Sequence, residues 1–244
     1  MKATSFEFRF RVLIALLLYI LGFWAPWTRY GNVAPPTTAW LALSTTIAGQ
    51  RWMTVSQATL MVTSLAILFV FAGAGLRIWG TAYLGSSVVH AARMQAGQVV
   101  ASGPYRFVRN PLYLGTWFFS AGVSILMPPS GAIFFLAATV LFYIRLMLGE
   151  ERYLAAQLGE PYLEYRRRVP RIIPSLRPRL AASGLQPQWM QGFLGEIFTF
   201  AFACCLAALA WDYNAQLLIR CLLVCFGLSL IARAALPSPQ LAGH

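Results

Sequence analysis

Two short strings in this chain bring together residue types that can grip a charged ligand. The first, GPYRFVRNPLYLG, runs from Gly103 to Gly115. It sets Arg106 and Arg109 just before Asn110 and Pro111, with Tyr105 and Tyr113 on either side. Asn followed by Pro marks a helix start, because Asn caps free amides and Pro suits the first helical position. A guanidinium beside the free amides and positive dipole end of a helix suits a carboxylate or phosphate. On that reading Asn110 is either a plain cap or part of an anion site, and Arg106 shares the site or meets lipid head groups. The second string is the pair Glu150–Glu151. Carboxylates at the C-terminal end of a helix oppose its dipole, so the pair calls for a partner. Ribose hydroxyls or an amino group would serve, as would Arg145 or Arg152.

These residues need elements to hold them. Helical spans of roughly 17–25 apolar residues cross a bilayer. Six runs qualify: Phe10–Trp27, Ala58–Trp79, Pro111–Met127, Gly131–Leu148, Phe193–Trp211 and Ala215–Leu236. The stretch Trp40–Ala48 is too short to cross and reads as a surface or re-entrant helix with Thr38 as its cap. Pro128, Pro129 and Ser130 join the third and fourth runs. So short a link forces an antiparallel hairpin. The loop before Pro111 must then meet the segment after Leu148 at one end of that hairpin. There, Gly159 can end one helix and Pro161 start another, with Tyr162 and Tyr165 on one face.

Composition sets the class. The 244 residues are 59% hydrophobic and 11% charged, with a mean hydropathy of +0.63. Soluble domains carry about 25% charged residues. The expected fold is therefore all-α: a polytopic membrane helical bundle of about six transmembrane helices. The net charge of +12 sits between the apolar runs, as in loops of membrane proteins, and argues against nucleic acid as a partner. With the N-terminus in the cytoplasm, the inside segments hold nearly all the Lys and Arg, from Lys2 to Arg233. The outside segments hold only Arg29 and Arg51, which favours cytoplasmic N- and C-termini. The first run resembles a signal peptide but ends in Trp24, Ala25, Pro26 and Trp27, and reads as a retained span. Glu196 and Asp212 read as interfacial. Cys204, Cys205, Cys221 and Cys225 lie in apolar runs with no His nearby, so no metal is expected. His90 has no partner in sequence for catalysis.

The same residues resemble the isoprenylcysteine carboxyl methyltransferase and phospholipid methyltransferase superfamily. Its pattern is matched by VVASGPY (Val99–Tyr105), RNPLYLG (Arg109–Gly115), Glu150–Glu151, LGEPYLEY (Leu158–Tyr165) and VPRIIP (Val169–Pro174). The likeness covers about Gly73 to Leu176 and divides the chain into residues 1–72, 73–180 and 181–244. It implies S-adenosylmethionine as cofactor. Gln98, Val100, Gly103 and Tyr105 would wrap the adenosine. Arg109, Asn110 and Tyr113 would stand at the amino-acid end, and Glu150 and Glu151 would hold the ribose or amino group. Arg109 or Arg145 would orient a carboxylate acceptor. The acceptor is an amphiphilic or prenylated molecule arriving from the bilayer. Three positions depart from the family: Asn110 replaces its usual histidine, Ala101 a common threonine and Gly97 a frequent histidine.

Rival readings are an NADPH-dependent membrane reductase of sterol-reductase-like architecture, a phospholipid amine N-methyltransferase, and a small transporter. A transporter would carry polar residues near the bilayer midplane. Here the charges cluster at the expected cytoplasmic ends.

Overall fold

The computed structural model describes residues 3–24, 37–85, 99–181, 184–211 and 214–235. His90, Gln98 and the tail from Pro237 fall outside the described residues. Every regular element among the described residues is helical: α1 (Ser5–Arg9), α2 (Arg11–Trp24), α3 (Ala39–Gly49), α4 (Val55–Leu84), a 3-10 turn (Gly103–Arg106), α5 (Pro111–Ser124), α6 (Pro129–Leu158), α7 (Glu160–Arg168), α8 (Trp189–Gly195), α9 (Ile197–Trp211) and α10 (Ala215–Ala235). The all-α class expected from the sequence is what the structure has.

Among the described residues, α4 and α6 are long and apolar enough to cross a membrane, and α8 with α9 forms a third span if that pair, bent by 64°, counts as one. Six spans were expected. Of the other expected spans, α5, at 14 residues, is about 21 Å long at 1.5 Å per residue, less than the ~30 Å hydrocarbon thickness, and the described part of α2 is equally long. The outer helix faces still carry bare apolar groups, such as Leu13, Leu16, Leu68, Leu223, Val224 and Ile231. Lipid, not water, is the solvent that tolerates such a surface.

Local signals start several helices. Thr54 and Gln57 form a reciprocal capping box at α4 (Thr54 N to Gln57 Oε1, 2.9 Å), and Thr4 and Glu7 form another at α1. Thr38 accepts from Leu41 N, so the expected cap of α3 is present. The next free amides of α3, Ala39 N and Trp40 N, donate to Met127 O and Ile125 O at the hairpin turn. The short helix is thus docked on the turn that joins α5 to α6.

The helices α4 and α6 each run past the apolar stretch that marked them. α4 ends at Leu84, beyond the expected Trp79. α6 ends at Leu158, beyond the expected Leu148. Helical hydrogen bonding continues as long as propensity allows, whatever the hydropathy. Glu150 and Glu151 therefore sit two turns inside α6, not at its terminus. The dipole argument for their unusual placement does not hold, and the projecting ends of α4 and α6 become walls of the site.

α4 and α5 approach each other through glycines. A Cβ on Gly73 would lie 2.5 Å from Gly115 O and 2.6 Å from Phe119 N, and one on Gly115 would lie 2.8 Å from Gly73 O. Small residues let helix backbones meet closely where lipid supplies no hydrophobic drive. Gly73→Val should force the two helices apart and cost about 1–3 kcal/mol. Thermal unfolding of the detergent-solubilised protein should show a clear drop in Tm, while Gly75→Ala, whose Cβ meets nothing within 4 Å, should stay near wild type.

Candidate active site

The hairpin does what its short turn requires. The loop before α5 and the segment after α6 meet, and between them lies a cavity of about 330 Å³. Val99, Val100, Tyr105, Arg109, Asn110 and Tyr113 line it from the loop and α5, Glu150, Glu151, Leu154 and Leu158 from α6, Tyr162 and Tyr165 from α7, Tyr83 and Leu84 from α4, and Leu185 from the following segment.

The loop is clamped onto the tail that follows α7. Arg109 N donates to Pro170 O (2.8 Å), Ser175 N to Phe107 O (3.0 Å) and Arg179 N to Arg106 O (2.9 Å). Arg106 is spent here too, its Nε donating to Leu180 O at 2.7 Å. The segment Pro170–Arg179, which includes most of VPRIIP, is thus structural: it satisfies the backbone of the loop at Arg106, Phe107 and Arg109, as buried polar groups require. Tyr165 Oη donates to Tyr105 O at 2.9 Å, and Tyr105 Oη to Gly80 O at 3.4 Å. Burial pushes both hydroxyls up from the ordinary tyrosine range, Tyr105 most of all. Both stay neutral donors. Gly103 supports this wall from behind. Its φ of +54° is a conformation glycine tolerates, and a Cβ there would strike the Tyr83 ring.

The Glu pair divides its work. Glu151, 3% exposed, is saturated by protein. Arg171 Nε and Nη2 donate to its two oxygens at 3.1 and 2.9 Å, and Asn110 Nδ2 donates to Oε1 at 3.0 Å. Arg109 Nε lies 3.3 Å away, close enough to pair but not aimed for a hydrogen bond, so this N–H is left over. Arg109 Nη1 instead donates to Arg166 O at 2.6 Å. Burial pulls the Arg109 pKa down while Glu151 pulls it back up. Hydrogen bonds donated to Glu151 raise that of Arg171. Glu150, one residue earlier in α6, shares the cavity lining with Tyr113 and lies in the field of Arg11.

Two expectations change. Asn110 makes no side-chain cap. Its amide goes instead to Glu151 Oε1 and to Arg171 O at 3.2 Å, where it bridges loop, hairpin and tail. Arg145 does not reach the cavity. Its Nε and Nη2 each donate to Glu7 at 3.0 Å, so it anchors α1 to α6. Arg109, Asn110, Tyr105, Tyr113, Val100, Glu150 and Glu151 are brought together as expected. Tyr83, Leu154 and Leu185 were missed, the first because α4 was ended too early. Glu196, expected at an interface, is 1% exposed. Its Oε2 and Oε1 accept from Arg77 Nε and Nη2, each at 2.7 Å. An Arg and a Glu each inside an apolar run, Arg77 in Ala58–Trp79 and Glu196 in Phe193–Trp211, were the available signals.

Residues 61–160 match the phospholipid methyltransferase family model. Among curated relatives, the chain is 32% identical over 146 residues to human protein-S-isoprenylcysteine O-methyltransferase, covering 57% of this chain and 50% of the relative. It is 30% identical over 132 residues to the rat enzyme of that name, covering 52% and 45%. It is 29% identical over 172 residues to methanethiol S-methyltransferase 2 of Bradyrhizobium diazoefficiens, covering 69% and 60%. The chain spans about half the length of the curated relatives it matches. No solved structure matches. The resemblance read from the motifs is thus present, and it covers the hairpin with both of its cavity-lining ends.

Glu151→Ala should strip Arg109 and Arg171 of their shared partner and cost on the order of 3–5 kcal/mol, as breaking a buried pair does. Chemical unfolding in detergent checks this, and a loss under ~1 kcal/mol would mean that the network is not buried as drawn. The Glu7–Arg145 pair predicts a pH effect. Hydrogen bonds from Arg145, then from Thr4, hold the Glu7 carboxyl at about 2, below its ordinary 4.5. A depressed carboxylate stabilises above its unfolded value, and that stability is lost as pH falls through the folded one. Hydrogen-exchange protection factors at residues 5–9, corrected for the intrinsic pH dependence of exchange, should therefore fall between pH 4.5 and 2 and show no such step in Glu7→Gln.

Proposed function

We propose that this chain is an integral membrane methyltransferase that moves a methyl group from S-adenosylmethionine to an amphiphilic acceptor, a carboxylate being favoured. The observation that carries the reading is the single cavity where the RNP loop, the Glu pair and the tail tyrosines converge. The family match of residues 61–160 spans that loop and that pair. The relatives named as isoprenylcysteine O-methyltransferases support a carboxylate acceptor, prenylated and reached from the bilayer. The site would face the cytoplasm, on the sign of the flanking charges.

The donor set suits the methyl donor. Tyrosine faces and leucines offer an apolar slot for an adenine ring and favourable contact for a cation. Glu150 would accept from ribose hydroxyls or from an ammonium. The leftover Arg109 Nε–H would meet a carboxylate. A cavity of about 330 Å³ is at the small end of ligand sites, about 300–1,000 Å³. An NADPH reductase would need cations free to hold several phosphates. Arg106 and Arg171 are instead committed to Leu180 O and Glu151, which weighs against that alternative.

When bound, S-adenosylmethionine supplies a methyl group already activated on a sulfonium. The protein's task is then alignment and exclusion of water, worth up to roughly 7–11 kcal/mol in favourable cases. Arg109 orients an anionic group at the loop end. Leu154, Leu158 and Leu185 keep the cavity dry. A carboxylate acceptor needs no general base, whereas an ammonium, as in phospholipid N-methylation, must first lose a proton. Glu150 is the cavity carboxylate placed to take it in that case.

Isothermal titration of the detergent-purified protein with S-adenosylhomocysteine should give saturable binding. Glu150→Ala should weaken it by about tenfold, or 1.4 kcal/mol. NADPH run alongside should not bind. Saturable NADPH binding without any for S-adenosylhomocysteine, by folded protein, would overturn the reading.

A further inference from the structure

The two C-terminal helices lie outside the matched segment, yet the chain that leads into them closes the cavity. Leu185 lines it. Gln188 N donates to Ala82 O at 2.8 Å. Gly192 packs on α4 so closely that a Cβ would lie 2.9 Å from both Ala82 Cβ and Ile78 O. Glu196 then makes its bidentate pair with Arg77. These contacts all fall on one stretch of α4, from Arg77 to Ala82, whose next two residues, Tyr83 and Leu84, line the cavity themselves.

Glu196 stands in the break between α8 and α9, where the chain turns by 64°. Its carboxylate also accepts from Thr81 Oγ1 and Thr199 Oγ1, each at 3.1 Å. Arg77 Nη1 reaches across to Thr116 of α5 at 2.6 Å. One buried ion pair therefore ties α4, α5 and the bent α8–α9 pair. A charged pair is a costly way to fill a membrane interior, and apolar packing would hold helices together equally well. What the pair adds is a fixed register for the segment that carries Leu185.

We propose that Glu196 is a positioning residue for the cofactor cavity: paired with Arg77, it pins residues 185–196 against α4 so that Leu185 forms one wall of the cavity. The C-terminal helices thus belong to the ligand site, although they contribute no group to the chemistry. The inference rests on the cavity being the methyl-donor site proposed above.

The test separates the two readings. Hydrogen exchange on detergent-solubilised full-length protein reports the pinning without any ligand. Glu196→Gln keeps the shape but removes the charge, and should speed exchange at 184–195 by at least about tenfold. Glu196→Asp should recover part of the protection. Titration with S-adenosylhomocysteine reports the wall: Glu196→Gln and Leu185→Ala should both raise Kd by on the order of tenfold, Leu185→Ala with exchange unchanged. Protection unaltered in Glu196→Gln would overturn the proposal. So would faster exchange with Kd unchanged, since the segment would then be only a brace. If wild type itself fails to bind S-adenosylhomocysteine, the methyl-donor reading fails, and the exchange arm alone decides whether the ion pair sets the segment.

Discussion

The site depends on a single buried carboxylate. Glu151 is held by Arg171 from the tail, by Asn110 from the loop and by the field of Arg109. Without it, two guanidiniums would face each other at the end of the hairpin, and the tail would have no reason to fold back. With it, the tail lies close enough for its backbone to bond the loop at Arg106, Phe107 and Arg109. Those bonds in turn carry Tyr162 and Tyr165 over the cavity. One ion cluster thereby converts a hairpin with two loose ends into a concave site. An isolated pair of this kind is rarely a net gain in stability. Its value here is that only one arrangement of loop, hairpin and tail satisfies all its partners.

A second buried pair, Arg77–Glu196, performs the matching task on the opposite wall. The two clusters do not touch. They are joined by the projecting end of α4, which carries Arg77 and, two turns on, Tyr83. The Oη of Tyr105 reaches that helix at Gly80 O, while its backbone carbonyl is held from the tail side by Tyr165. Tyr105 thus spans the gap between the two clusters. Adjustment of either should be felt in the cavity through this ring, and its burial leaves little freedom to absorb a shift.

Most of this arrangement could be read from the residues, because it follows from chain connectivity. The sequence reads as a link of Pro128, Pro129 and Ser130; in the structure it is residues 125–128, with Pro129 starting α6, and either link is short enough to favour an antiparallel pair and so bring loop and Glu pair together. Helix starts at Thr38 and Pro111 and the break at Gly159 were equally local. What could not be read is who pairs with whom. Asn110 carries the sequence signal of a cap, but it makes no cap bond, and its Nδ2 donates to Glu151 and to Arg171 O. Arg145 carries the signal of a ligand or of a snorkelling side chain, but α1 brings Glu7 to it from across the sequence. Glu196 lies near the start of an apolar run and so reads as interfacial, until the bend buries it against Arg77. Hydropathy also hid the true helix ends, because Tyr83 and Leu158 belong to helices whose apolar signal had already stopped.

Asn110 can now be weighed as chemistry. In the resembling family a histidine stands at this position. Here the neighbouring carboxylate already has two guanidiniums, so a third cation would leave the cluster with excess positive charge. A neutral amide supplies the same donated hydrogen bond to Glu151, adds a second to Arg171 O, and leaves the charge unchanged. The substitution is then less a loss than a change of donor: the loop keeps its hydrogen bond to Glu151, and the positive charge beside that carboxylate comes from Arg109 and Arg171.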